Sequence, residues 1–271
     1  MTTLALLLAC ADPAADIGPQ LADDSVMDAV DSSVDTGEPE HDPCAELEVY
    51  PQTLALTSVE AVQDFGARYR AVQGSLILME VEGLRDLDAL DCLEEVDEVL
   101  SLRGHAELAE VRLPALRRAG WLKVQDNPTL VSLEAATLRE LGSLQVDRNA
   151  ALTEVQLPAL AEVDFSVELS RNEQLDRAAL PALELVGASL VVADARLADL
   201  DGLAGLGSIG GGLVLRENAE LVDLQGLHGL QSVDRDLSIV DNTQLPQAEI
   251  EALLEAIGSV GGSVETSGNA G

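Results

Sequence analysis

The sequence predicts a mainly-β protein, a solenoid of about 8–9 coils of 22–24 residues, each contributing a strand to a parallel sheet. Three observations predict it. A leucine recurs at Leu84, Leu108, Leu130, Leu152, Leu175, Leu197, Leu221 and Leu245, at spacings of 24, 22, 22, 23, 22, 24 and 24. Ahead of each leucine runs a short alternation of apolar and polar residues, and between the two sits an asparagine or its stand-in. One coil cannot bury its apolar face alone, so the copies must stack.

Taken from the amino terminus, residues 1–10 hold the apolar run LALLLA followed by Cys10. Leu7, Leu8, Ala9 and Cys10 resemble the lipobox of bacterial lipoprotein signal peptides. That resemblance implies lipid on Cys10 and a membrane anchor. The implied address is the cell envelope, at the outer membrane or cell surface of a Gram-negative-type bacterium. No stretch approaches the roughly 18 consecutive apolar residues of a membrane-spanning helix. Residues 11–43 carry ten acidic residues and no Lys or Arg. Low hydrophobicity with charge of one sign does not offset the entropy of ordering, so a disordered acidic tether is expected there.

With Cys10 lipidated, Cys44 and Cys92 remain as a pair. A bridge between them would pin the first strand to the first repeats. Cys92 also falls in a column of small residues, with Ala115, Thr137, Ala159, Ala182, Gly205 and Gly229. A buried free thiol fits that slot equally. Both readings stand at this point.

The repeat region spans 44–271. Its alternating pairs are Leu76/Leu78, Leu100/Leu102, Leu122/Val124, Leu144/Val146, Val167/Leu169, Leu190/Val192, Leu213/Leu215 and Leu237/Ile239, with Val264/Thr266 opening a ninth. Period-two alternation puts these on the inner face and their neighbours on the outer one. The asparagine column is Asn127, Asn149, Asn172, Asn218, Asn242 and Asn269, with Val81, His105 and Asp194 as counterparts elsewhere. Asparagine tolerates the left-handed conformation, and its amide satisfies backbone groups stranded by a tight turn, so a structural ladder is expected. Short capping helices are expected near both ends. Thr57 with Glu60 forms a capping box before Val59, Val62, Phe65 and Tyr69. Pro246 suits a first helical position before Ile250, Leu253, Leu254 and Ile257.

The pattern G-S-L-x-V-x-x-N-x-x-L-x-x-V-x-L-P-x-L-x-x-V from Gly142 to Val163, with the early helix, the late helix and a closing S-G-N, resembles the receptor L-domain family. These are leucine-rich-repeat-like right-handed β-helix modules of the insulin and epidermal growth factor receptors, found also in bacterial surface proteins. The resemblance implies an extracytoplasmic recognition module without catalytic chemistry. It carries over no functional residues.

Composition narrows the partner. A net charge of −34 disfavours phosphate backbones, so no nucleic acid is expected. A protein or other surface ligand, a basic one included, fits the charge. The aromatics are only Tyr50, Phe65, Tyr69, Trp121 and Phe165, so stacking platforms for sugars or bases are scarce, which counts against a carbohydrate groove or a single-strand nucleic-acid channel. No cofactor or metal is expected. His41, His105 and His228 lie in unrelated settings without a nucleophile or metal-ligand motif. Asp86, Asp88 and Asp91, or Asp199 and Asp201, mimic the acid clusters of β-helix lyases or a calcium site without an EF-hand spacing. The outer sheet face is the candidate binding surface. It carries Trp121 with Lys123 and Arg103 as one patch, and Val191, Val214 and Val240 as an apolar strip. The expected function is a lipid-anchored, non-catalytic recognition protein. The alternatives are a passive envelope spacer and a β-helix polysaccharide lyase or hydrolase.

Overall fold

The structure, a computed structural model, describes residues 44–271. Cys10, the segment 11–43 and His41 lie outside the described residues. The described chain is mainly β, and its strands pair in parallel.

Ten strands lie side by side: Leu54–Leu56, Leu76–Met79, Glu95–Arg103, Arg118–Gln125, Glu140–Asp147, Val167–Asn172, Leu190–Ala195, Leu213–Arg216, Leu237–Val240 and Val264–Ser267. Each pairs with the strand one repeat away. Leu100 opposes Leu122, Leu122 opposes Leu144, Leu144 opposes Val167 and Val167 opposes Leu190. The repeat length read from the leucines is therefore the sheet register. The alternating residues from Leu76 to Ile239 point inward and are all but fully buried. Val264, on the outermost of these strands, is 47% exposed, so the ninth pair is not covered as the others are.

A second, four-stranded parallel sheet joins Glu110–Arg112, Ser132–Glu134, Glu154–Gln156 and Arg177–Ala179. It buries Val111, Leu133, Val155 and Ala178 against the same core. In later repeats 3-10 turns at Asp201–Leu203 and Gln225–Leu227 occupy this side. Asp199 and Asp223 start them by accepting from the amides of Asp201 and Gln225, and Asp86 does the same for Asp88. Of the acidic residues considered for a cation, Asp86 and Asp199 thus brace the starts of short turns.

Two corners are shorter than the rest. Only Gly120 separates Ala119 from Trp121, and only Gly142 separates Leu141 from Ser143. The flanking repeats place two residues there, Asp97–Glu98 and Asp164–Phe165. A Cβ on Gly142 would lie 2.1 Å from the Gly120 carbonyl oxygen, and one on Gly120 would lie 2.4 Å from that of Glu98. No side chain fits. Gly142→Ala is expected to destabilise by about 3 kcal/mol, the upper end for overpacking, read as a lower urea midpoint.

Helices lie near both ends, with boundaries shifted by one residue from the sequence reading. Ser58, not Thr57, caps the helix Val59–Gly66; its hydroxyl accepts from the Ala61 amide at 3.1 Å. Val62 and Phe65 are buried, whereas Tyr69 belongs to the following strand and meets Tyr50 and Phe65 edge-on or tilted. Pro246 is the extended N-cap of Gln247–Ala256 and not its first helical residue. Cys44 and Cys92 are joined by a disulfide across 48 residues.

The asparagine ladder divides its two expected duties between neighbours. The left-handed residue is the one before each asparagine: Asp126, Arg148, Arg171, Glu217 and Asp241 all have φ between 53° and 57°. The asparagines themselves turn inward, and five of the six are fully buried. Each side-chain oxygen accepts from the backbone amide one repeat earlier, and each amide donates to a strand carbonyl. Asn149 accepts from the Asn127 N–H at 3.1 Å and donates to Val124 at 2.9 Å. The sequence reading put Asp194 in the column. Asp194 instead takes the left-handed position, and Ala195 stands in the column opposite Asn172. The missing residue of that repeat falls after Ala195, before Leu197.

His105 continues the ladder. Its Nδ1 accepts from the Val81 amide at 3.2 Å, and its own N–H donates to Asn127. Nε2 is buried without a hydrogen bond of regular geometry. Burial pulls its pKa below the ordinary histidine value, with the Leu78 carbonyl opposing. The unfolded chain therefore takes up this proton first, so the stability is fully present above the ordinary histidine pKa. It falls as pH drops through that value toward the folded one. Urea titrations at pH 7.5 and 5.5 are expected to show His105→Asn losing less stability than the wild type, by up to about 1.4 kcal/mol per pH unit.

Candidate binding face

The outer face is built from the residues that alternate with the buried ones. Its middle column runs in register through Ile77, Ser101, Lys123, Gln145, Glu168, Val191, Val214, Ser238 and Glu265. The neighbouring column runs through Met79, Arg103, Gln125, Asp147, Ser170, Ala193, Arg216 and Val240. Both columns follow from strand alternation alone, and the pairing places them as the sequence did.

The chain has one tryptophan and one lysine, and they touch. Lys123 Nζ stands 3.8 Å from the centre of the Trp121 ring. Trp121 is 38% exposed. Lys123 faces Ser101 and Gln145 on its two neighbouring strands and makes no ion pair among the described residues. A cation held over an indole is attracted by the ring quadrupole.

Arg103 is not part of that contact. It lies four residues along its strand from Val99, the residue opposite Trp121, and turns to Asp126 at 3.0 Å. There it begins an alternating chain, Arg103–Asp126–Arg148–Asp147–Arg171, along the left-handed turns. Hydrogen bonding from Arg148, and then the charge and bonding of Arg103, hold the Asp126 carboxyl below the usual carboxylate range against its desolvation. Asp147 is 1% exposed between Arg148 and Arg171. The apolar strip divides as well. Val191 and Val214 are paired and half-buried, but Val240 sits in the next column opposite Arg216 and is nearly inaccessible.

Phe165 is the residue the sequence reading passed over. It is 63% exposed and donates its amide to Gly142. Trp121 pairs with Ser143 from the other side. The two aromatics thus flank Gly142–Ser143, on backbones about 10 Å apart at two strand spacings. The signal was the extra corner residue in that repeat. Tyr50, Phe65 and Tyr69 pack together beside the first helix, so both aromatics that are more than a third exposed among the described residues lie at this corner.

The charge of the face is unlike that of the chain. Of 49 acidic residues ten precede residue 44, leaving 39 against 15 basic ones in 44–271. Yet the two columns hold only Glu168, Asp147 and, on the last strand, Glu265 as acids. Glu168 is engaged by Gln145 at 3.0 Å and Ser170 at 2.6 Å, and Asp147 by its two arginines. A depression of about 540 Å³ lies elsewhere, beside Asp176, Asp199 and Asp201 at the edge of the four-stranded sheet. Compared with known proteins, the chain matches no family model and no curated protein.

Proposed function

We propose that the protein is a surface-exposed or periplasm-facing lipoprotein whose repeat domain is a non-catalytic recognition module that binds a partner through the outer sheet face. In this reading the domain is a right-handed, leucine-rich-repeat-like β-helix of the receptor L-domain type. Parallel pairing at the repeat spacing, the buried ladder and the helix near each end support that fold. Cys10 carries the lipid, and the lipobox-like LALLLA run supports the anchor.

One observation carries the binding role. The outer face brings together the single tryptophan and the single lysine, with an exposed phenylalanine at the adjoining corner. Aromatic enrichment with few charges marks the centre of contact surfaces. Protease treatment of intact cells tests the address, with degradation expected for a surface protein and survival arguing against it. Capture from envelope fractions by wild type and by Trp121→Ala tests the face. Loss of the captured partner in the variant is expected; equal capture would discard the face as the contact.

A further inference from the structure

We propose that His105 is an acid-sensitive latch: on acidification its ring takes a proton at Nδ1, releases the Val81 amide and lets the turn 80–84 lift from the neighbouring repeat. The device belongs to the fold and is independent of the binding reading above.

The geometry fixes which nitrogen can take the proton. Nδ1 accepts the Val81 N–H at 3.2 Å, so in the neutral ring the hydrogen sits on Nε2, beside the Leu78 carbonyl. Nε2 thus stands where the next rung has the Asn127 side-chain amide, which donates to Leu102 at 3.1 Å. An asparagine rung takes no further proton. An imidazolium is a donor at both nitrogens, so a proton on Nδ1 would meet the Val81 N–H head-on and the rung would break.

Nothing around the ring compensates the charge. His105 is fully buried. The charged residues on the three stacked turns are Glu80 and Glu82 before it, Arg103 and Glu107 on its own turn, and Asp126 after it. All but the half-buried Asp126 are exposed. Glu107 is paired with Arg85, and Asp126 with Arg103 and Arg148; none of them bonds to the imidazole. A buried charge without a partner is costly, so the protonated ring must reach water. The Val81 side is where the structure gives way. On the other side the His105 N–H is held by Asn127, and Asn127 in turn by Asn149. Val81 brings no side-chain amide to the ladder, and the amide of Glu80 bonding to Arg103 at 2.8 Å is the turn's other tie to this repeat. The Cys44–Cys92 bridge encloses the turn, so a lifted segment stays within a closed loop.

Native-state amide exchange of the full chain at pH 7.5 and 5.5, over a range of low urea concentrations, tests the latch. Urea separates small openings, whose populations barely respond to it, from global unfolding, which does. The Val81 opening, corrected for intrinsic exchange, is expected to grow roughly tenfold between the two pH values while staying insensitive to urea. Asn127 and Asn149 should exchange more slowly at both. In His105→Asn the Val81 opening should not change with pH; if circular dichroism shows that variant unfolded, His105→Gln takes its place. Ring nitrogen shifts should place the hydrogen on Nε2 at pH 7.5. Val81 exchange with the same urea slope as Asn149 would put the effect of the proton in global unfolding and overturn the latch. A wild-type Val81 opening that is the same at both pH values, or a ring hydrogen on Nδ1 at pH 7.5, would overturn it as well.

Discussion

Replacing Cys92 by serine is expected to lower the unfolding free energy by about 4 kcal/mol, the chain-entropy value for a closed loop of this length. The bridge to Cys44 closes 48 residues that include the first helix and the first inward pair, Leu76 and Leu78. Without it, the margin of the repeat domain is tied to the first repeats by short strands such as Glu48–Tyr50. Equilibrium urea unfolding of the wild type with and without reductant, beside Cys92→Ser, measures the effect. Reduced wild type and variant should coincide. Equal stability of all three samples would mean that the first repeats hold themselves.

Asn149→Leu is expected to cost a comparable amount, about 3–4 kcal/mol, although it inserts an apolar side chain into an apolar core. The Asn149 oxygen accepts from both the backbone and the side-chain amide of Asn127, each at 3.1 Å, and its own amide caps Val124. Leucine leaves the Asn127 donors and the Val124 carbonyl buried and unpaired, and a buried unpaired group costs more than a made bond returns. Asn149→Asp keeps the acceptor and loses the donor, so it should fall between wild type and leucine above the titration of the new acid. Thermal melts at neutral pH rank the three.

Much of this architecture was legible because it depends on spacing. Leu122, Leu144 and Val167 could be placed opposite one another from their residue numbers, since the strand period fixes the side and the repeat fixes the partner. The outer columns followed for the same reason. What escaped depended on single residues. Gly120 and Gly142 each stand where other corners have two residues, and the sequence pattern treats such a difference as slack. The structure turns it into a recess that sets Phe165 near Trp121. Arg103 was read as part of the Trp121 patch because they share a face; the choice between Trp121 and Asp126 is made by distance along the strand. Cys92 could not be assigned because a small column accepts a thiol and a bridged sulfur alike. Asp194 was misplaced because a missing residue leaves no mark of which side of the turn it was lost from.

The lapse of the ladder at Ala195 has a consequence for how such a chain changes length. Elsewhere the Asn-to-Leu interval is fixed, since moving one asparagine would tear its amide from two neighbours. At Ala195 no side-chain amide is held in place. The Ala195 N–H still reaches Asn218 at 3.2 Å, and Asn172 still caps Val146 at 2.9 Å. The one-residue shortening falls immediately after this position. Whole repeats can be gained or lost wherever the pattern recurs, because each copy brings its own donor and acceptor. Within the Asn-to-Leu interval a single residue can be lost only at a rung that has already let go.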